Sequence, residues 1–147
     1  MNKKSIVVFS AALIVVLLDQ LTKFLIKQNL QLTQSIPIMK NILHLTYVTN
    51  NGSAFGLFKG FNLIFVIFSV IAVFVVSYFI NRVKENEKAL QFAVGLLLGG
   101  TIGNLIDRLI FGHVIDFIDL RIWPVFNVAD SAVTISIILL IFLLWEK

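Results

Sequence analysis

Residues Ala89 to Ile110 read ALQFAVGLLLGGTIGNLIDRLI. An α-helix needs about 20 apolar residues to cross the roughly 30 Å hydrocarbon core of a bilayer, and this run supplies them. Gly95, Gly99 and Gly103 recur at every fourth position, presenting a groove in which another helix can approach closely. The polar residues Asn104, Asp107 and Arg108 are gathered at the far end. The stretch is a membrane helix with a packing face that leads to a polar terminus.

Three more runs of similar character lie outward from it, at about Ser5 to Ile26, Phe61 to Ile80 and Val125 to Trp145. The composition agrees: 59% of the 147 residues are hydrophobic, 14% are charged and 14 are phenylalanine. An ordinary soluble domain carries roughly 25% charged residues, and a disordered chain needs low hydrophobicity, so both classes are excluded. The excess of 12 Lys and Arg over 8 Asp and Glu is not clustered into a phosphate-binding stripe, so no nucleic-acid partner is expected. Cysteine is absent, which removes disulfides, thiolate metal sites and cysteine nucleophiles.

Met1 to Lys4 followed by the apolar run Ile6 to Leu18 has the outline of a cleavable signal peptide. Asp19, Gln20, Thr22 and Lys23 follow instead of a small-residue cleavage site, and further apolar residues then complete a span. With both termini on one side, Lys3, Lys4, Arg82, Lys84, Lys88 and Lys147 share that side, and Lys27, Lys40, Lys59, Arg108 and Arg121 lie opposite. The leading lysine pair and the basic turn from Asn81 to Lys88 place both termini in the cytoplasm.

The connection from about Lys27 to Gly60 is too long for a simple turn. Leu43, Leu45 and Tyr47 alternate with His44, Thr46 and Val48, and Asn51-Gly52 follows where a tight hairpin turn wants positive φ. The expected fold class is therefore an all-α integral membrane protein, with four transmembrane helices and a small extracytoplasmic β subdomain between the first and second. The whole chain forms one domain.

In this topology the polar residues form a single layer near the outer leaflet. Asp19 and Lys23 lie in the later half of the first span, and Asn104, Asp107 and Arg108 end the third. Asn127, Asp130, Ser131 and Thr134 begin the fourth, and His113, Asp116, Asp119 and Arg121 lie between the last two spans. Ionisable groups are costly in lipid, so a layer of them calls for partners or a function. A channel or transporter needs polar groups across the whole thickness, whereas the cytoplasmic halves are almost purely aliphatic and aromatic, and the second span offers only Asn62, Ser69 and Ser77.

Two carboxylates held close together share a proton, so one can activate water while the other protonates a carbonyl oxygen or a departing amine. This is the logic of aspartic peptide hydrolysis, and it needs no metal, cysteine or serine. Asp107, Asp116, Asp119 and Asp130 are the candidates, and pattern alone does not choose the pair. Each also has a plainer reading. Asn127 and Asp130 have the spacing of a helix cap, Asp107 and Arg108 suit ion pairs with neighbours, and Asp19 and Lys23 suit an i,i+4 pair. His44 and His113 are too few and too separated for a metal site. A noncatalytic assembly factor would use the glycine stripe and the hairpin for contacts alone. A Ser/Lys peptidase built on Lys23 has no serine obviously placed beside it.

These residues resemble the lipoprotein signal peptidases, or signal peptidase II, a family of bacterial membrane aspartic peptidases. Asp19-Gln20 with Lys23 looks like the first block of the family, and Asn50, Gly52, Ala54 and Phe55 like the second. Gly99, Gly100, Gly103, Asn104, Asp107, Arg108, Gly112, Val114, Asp116 and Phe117 resemble the third, and Phe126, Asn127, Ala129, Asp130 and Ser131 the fourth. The four blocks occur in order and cover nearly the whole chain.

The resemblance implies that Asp116 and Asp130 are the catalytic dyad. It further implies that Asn50, Gly52, Asn104, Arg108 and Asn127 bind substrate or orient the site, and that Asp19, with Lys23 and Asp107, has a structural role. It implies no cofactor and no metal. The implied enzyme is a monomer in the bacterial cytoplasmic membrane, among membrane lipids, with its site near the outer face. Its substrate would be a lipid-modified prolipoprotein, cut just before a cysteine that carries diacylglycerol. Two positions depart from the pattern. Ser53 stands where the family commonly has Ala, and the stretch from Asp119 to Pro124 is short.

Overall fold

The computed structural model describes residues 3–52, 62–80 and 82–145. In chain order the elements are α1 (Lys3–Asn29), β1 (Ser35–Met39), β2 (Leu43–Asn50), α2 (Asn62–Ile80), α3 (Lys88–Phe111), β3 (Val114–Asp119) and α4 (Val128–Trp145). Each of the four helices contains a stretch long and apolar enough to cross a membrane: Ser5–Asn29, Asn62–Ile80, Lys88–Phe111 and Val128–Trp145. Ser53, Ala54, Phe55 and Phe61 lie outside the described residues, as does the end of the connection before α2.

The helix boundaries follow local chemistry. α1 continues beyond Ile26 to Asn29, and the Lys27 ammonium sits 4.0 Å above the Phe111 ring rather than ending the helix. α3 ends at Gly112, whose φ of 74° is the left-handed conformation that glycine adopts without a Cβ clash. α4 begins three residues later than the apolar run. Phe126 is held by bridge pairing to Ile118, and Asn127 caps the helix by accepting the Asp130 N–H at 2.8 Å.

α3 is the central post of the bundle, in contact with each of the other helices. Its glycines face two different neighbours. A Cβ on Gly95 would fall 2.7 Å from both Ala11 Cβ and the Val8 carbonyl oxygen, and one on Gly99 would fall 2.7 Å from the Ala12 carbonyl oxygen. These two seat α1. A Cβ on Gly100 would meet the Ala129 carbonyl oxygen at 2.5 Å, so that position seats α4. A buried cluster that includes Val8, Ala12, Ile80, Val94 and Leu98 fills one end of the bundle. Much of the outer surface carries exposed apolar side chains such as Leu63, Phe68, Phe74 and Ile138, which suits contact with lipid.

The β unit departs from the sequence expectation in two ways. Its turn is not Asn51-Gly52. β1 and β2 pair antiparallel with Met39 opposite Leu43, and the reversal between them carries Asn41 at φ 61°, a conformation that asparagine tolerates. Asn51 and Gly52 instead form a bend after β2, where the Asn50 side-chain oxygen accepts the Gly52 N–H at 3.0 Å. The sheet is also not confined to the connection between the first two helices. Its order is β1-β2-β3, with β3 contributed from between α3 and α4 and antiparallel to β2. Phe117 packs with Ile26 of α1 and with Leu30 just after it, fastening the sheet to the bundle.

Candidate active site

Four elements deliver the polar layer to one place. α1 supplies Asp19, Gln20 and Lys23, and the end of α3 supplies Asn104, Asp107 and Arg108. β3 supplies Asp116, and the start of α4 supplies Asp130 together with its cap Asn127.

The deepest part is an ion cluster. The Lys23 Nζ lies 2.8 Å from Asp19 Oδ2 and 2.9 Å from Asp107 Oδ2, with all three side chains almost fully buried. Each carboxylate has further donors. Asp19 Oδ1 accepts the Ala129 N–H at 2.9 Å, and Asp107 Oδ2 accepts the Ile115 N–H at 3.0 Å. Gln20 Nε2 reaches both acids, at 3.1 and 3.0 Å. One lysine therefore joins α1 to α3, while its two acids pin the backbones of β3 and α4. A buried charge with satisfied partners is tolerable, and one stripped of its partner is strongly destabilising. Asp107 thus pairs with Lys23, whereas Arg108 donates weakly to the Asn104 carbonyl at 3.4 Å and lies 5.3 Å from the Phe65 ring centre.

The third Lys23 contact leads to the site. Its Nζ donates to Asn104 Oδ1 at 3.1 Å. An ammonium has only donors, so the amide oxygen of Asn104 must face Lys23 and its NH2 must point away, where it donates to Asp130 Oδ1 at 2.7 Å. Asn127 completes the arrangement. Its Nδ2 donates to Asp116 Oδ1 at 2.7 Å and approaches Asn104 Oδ1 at 3.0 Å, while its main-chain N–H donates to Asp130 Oδ2 at 3.2 Å. Asn50 Nδ2 donates to Asp116 Oδ2 at 3.1 Å. Every oxygen of Asp116 and Asp130 accepts one N–H, and Asn127 bonds to both acids. Asp116 and Asp130 thus share a frame of amides, whereas Asp107 belongs to the lysine cluster.

Asp119 lies apart from this frame. Its carboxylate accepts from the Thr46 hydroxyl at 2.7 Å and from the Arg121 guanidinium at 3.0 Å. Burial works against its charge, but these donors and the Arg121 N–H together hold it below the usual carboxylate range. Asp116 moves the other way. Burial first, and then the neighbouring Asp130 charge, push its carboxyl up to about 7, against the donors Asn50 and Asn127.

Both acids line a cleft of about 710 Å³, together with Asn50 and Arg108 at its polar end and Leu120 and Trp123 on its apolar side. Gly52 also lines it. His44 and His113 take no part: His44 Nδ1 pairs with the Ser35 hydroxyl at 3.2 Å, and His113 lies beside the Phe111 ring. Sequence reasoning missed Gln20 as a ligand of two acids and β3 as a strand. The signal for β3 was present in Val114, Ile115, Phe117 and Ile118, a short β-branched and aromatic run after a glycine.

A buried polar site held at one end of a bundle of membrane-length helices has the architecture of a membrane protein with a candidate active site at one level. The comparisons identify the family. The family model for signal peptidase (SPase) II matches residues 11–146. The lipoprotein signal peptidase of Halothermothrix orenii is 44% identical over 141 residues, covering 95% of this chain and 96% of that one. That of Geobacillus kaustophilus is 45% identical over 130 residues, covering 86% and 84%. Two solved structures of bacterial membrane enzymes superpose with TM-scores of 0.86 and 0.87 at 36% and 35% identity, each over 95% of this chain and over 87% and 93% of theirs. The chain belongs to the signal peptidase II family.

Proposed function

We propose that this protein is an aspartic endopeptidase that removes the signal peptide from diacylglyceryl-modified prolipoproteins, cutting before the lipidated cysteine, with Asp116 and Asp130 as the catalytic pair. The observation that carries this reading is the shared amide frame. Asn127 bonds to both acids, and Asp116 keeps its proton up to about pH 7, so near neutrality the pair holds one proton between two carboxyls.

Such a pair performs hydrolysis without a covalent intermediate. The ionised carboxylate takes a proton from water as the water oxygen attacks the scissile carbonyl carbon, and the protonated partner gives its proton to the carbonyl oxygen. Collapse of the resulting gem-diol breaks the C–N bond. The departing nitrogen receives the proton that came from water, and the diol hydroxyl returns its proton to the other carboxylate, restoring the starting state. Asn104 and Asn127 hold the acids in register, and Arg108, at the polar end of the cleft, is placed to bind a substrate carbonyl.

In the bacterial cytoplasmic membrane, with both termini in the cytoplasm, the site would lie near the outer face. A substrate could then keep its acyl chains in the bilayer while its scissile bond reached the acids. The Asn50–Gly52 end of β2 would offer backbone groups to an extended peptide. The enzyme would act as a monomer on a membrane-anchored substrate. The test is to offer a diacylated precursor peptide to the purified protein and compare Asp116→Asn and Asp130→Asn with the parent. Loss of cleavage in both is expected. Full activity in either would overturn the assignment.

A further inference from the structure

Between β3 and α4 the chain makes a strap, from Leu120 to Val125, whose ends are closed on each other. The Ile118 N–H donates to the Phe126 carbonyl at 2.7 Å, and the Phe126 N–H returns a bond to the Ile118 carbonyl at 3.1 Å. Leu120, Trp123, Pro124 and Val125 of the strap line the same cleft as Asp116 and Asp130. The strap thus forms a wall of the candidate active site, and its outer part is well exposed: Ile122 is 92% exposed and Trp123 61%.

One buried side chain fastens this wall. Asp119 Oδ1 accepts the Arg121 N–H at 2.9 Å, and Oδ2 accepts both the Arg121 guanidinium at 3.0 Å and the Thr46 hydroxyl of β2 at 2.7 Å. Thr46 is joined in turn to Ser35 of β1 at 2.8 Å, so the tie runs across all three strands. Arg121 itself sits at φ 67°, a strained conformation for a non-glycine residue that persists only when surrounding bonds over-determine it. The Asp119 bonds to its main-chain and side-chain N–H groups do so.

We propose that Asp119 is a positioning residue that latches the strap as a fixed wall, and that Leu120, Trp123 and Pro124 on it select which apolar substrate segments fit beside the acids. This rests on the peptidase reading above. A wall already rigid before binding loses little conformational freedom when substrate arrives, so the latch acts on affinity and selectivity rather than on the proton transfers. It also explains how a short connection can border the site: the Asp119 carboxylate adds a side-chain tie to the Ile118–Phe126 backbone bonds that close the strap.

The experiment uses the full chain with Trp145→Phe, which leaves Trp123 as the sole tryptophan, since the sequence has two. Asp119→Ala and Thr46→Val are compared with this parent. Expected are a lower Trp123 fluorescence anisotropy, a KM raised about fivefold or more with kcat within about twofold, and weaker discrimination between precursor peptides with small and bulky apolar residues near the cut. Unchanged anisotropy, or loosened anisotropy with unchanged KM and selectivity, would overturn the proposal, as would a loss confined to kcat. If Asp119→Ala does not fold, Leu120→Ala and Trp123→Leu address the wall directly through KM and selectivity. Asp116→Asn and Asp130→Asn run in parallel: full activity in these would sink the assignment of the catalytic pair beside the wall, whereas their inactivity with an indifferent latch would sink only this inference.

Discussion

Lys23 reaches Asp130 through a single intervening amide: Asn104 accepts from the ammonium at 3.1 Å and donates to the carboxylate at 2.7 Å. Because the ammonium can only donate, it dictates which end of the amide the carboxylate receives. The ion cluster behind the site and the acids within it are therefore one hydrogen-bonded system.

Lys23→Met should be among the most damaging single changes. It leaves Asp19 and Asp107 buried without their cation, at a cost of about 3–5 kcal/mol, and it frees Asn104 to rotate. Thermal unfolding in detergent should show a marked fall in Tm, with activity lost even in the fraction that stays folded. A Tm close to that of the parent would contradict the cluster's structural role.

The pH profile follows from Asp116. Its carboxyl is raised to about 7 by burial and by the Asp130 charge, so its proton departs as pH passes through that value. Cleavage should decline on the alkaline side of about 7. The same raised value means that the stability contributed by this group falls as pH rises from about 4 to about 7. Asp130→Asn removes the neighbouring charge and should lower the titration point of Asp116, as read by carboxyl infrared absorption. An unmoved point would show that the two acids do not interact.

Gly99→Leu should separate α1 from α3. Even a Cβ there falls 2.7 Å from the Ala12 carbonyl oxygen and 2.8 Å from Val15 Cβ, and those backbone and branched atoms cannot move aside cheaply. A loss of at least about 1–3 kcal/mol is expected, measured as a drop in Tm or in recovery of monodisperse protein. A Cβ at Gly112 meets no described atom within 4 Å, so Gly112→Ala should cost only the strain of its left-handed φ.

Asn127→Ala removes a helix cap and the bridge between the acids in one step. The cap alone accounts for roughly 0.5–2 kcal/mol of stability. Activity should fall much further than Tm, because Asp116 loses its 2.7 Å donor. Parallel losses in both would mean that the residue serves only the helix.

The four helices were legible because membrane length and apolarity are local properties of a run, and the one-sided polar layer followed from their alternation in direction. The β unit was legible only in part. Leu43 to Val48 alternates as a strand should, yet the choice of Asn41 over Asn51-Gly52 for the reversal depends on register against β1. β3 escaped because its pairing partner β2 lies more than 60 residues away in the chain. The glycine stripe of Gly95, Gly99 and Gly103 was legible as a groove and it seats α1, whereas Gly100, which lies off the stripe, seats α4, a contact set by how helices dock rather than by spacing.

Among the acids, local sequence offered four and could not rank them, and the family resemblance named two. Asp107, Asp116 and Asp119 lie within 13 residues of one another, yet they meet Lys23, an amide frame, and a threonine with an arginine respectively. Membrane-length helices with a carboxylate-rich layer at one level were legible along the chain, because hydrophobic length and the cost of charge in lipid are written residue by residue. Which carboxylates meet a cation and which meet the amides of Asn50, Asn104 and Asn127 emerged only from the fold, because that depends on hydrogen bonds of about 3 Å between residues up to 110 positions apart.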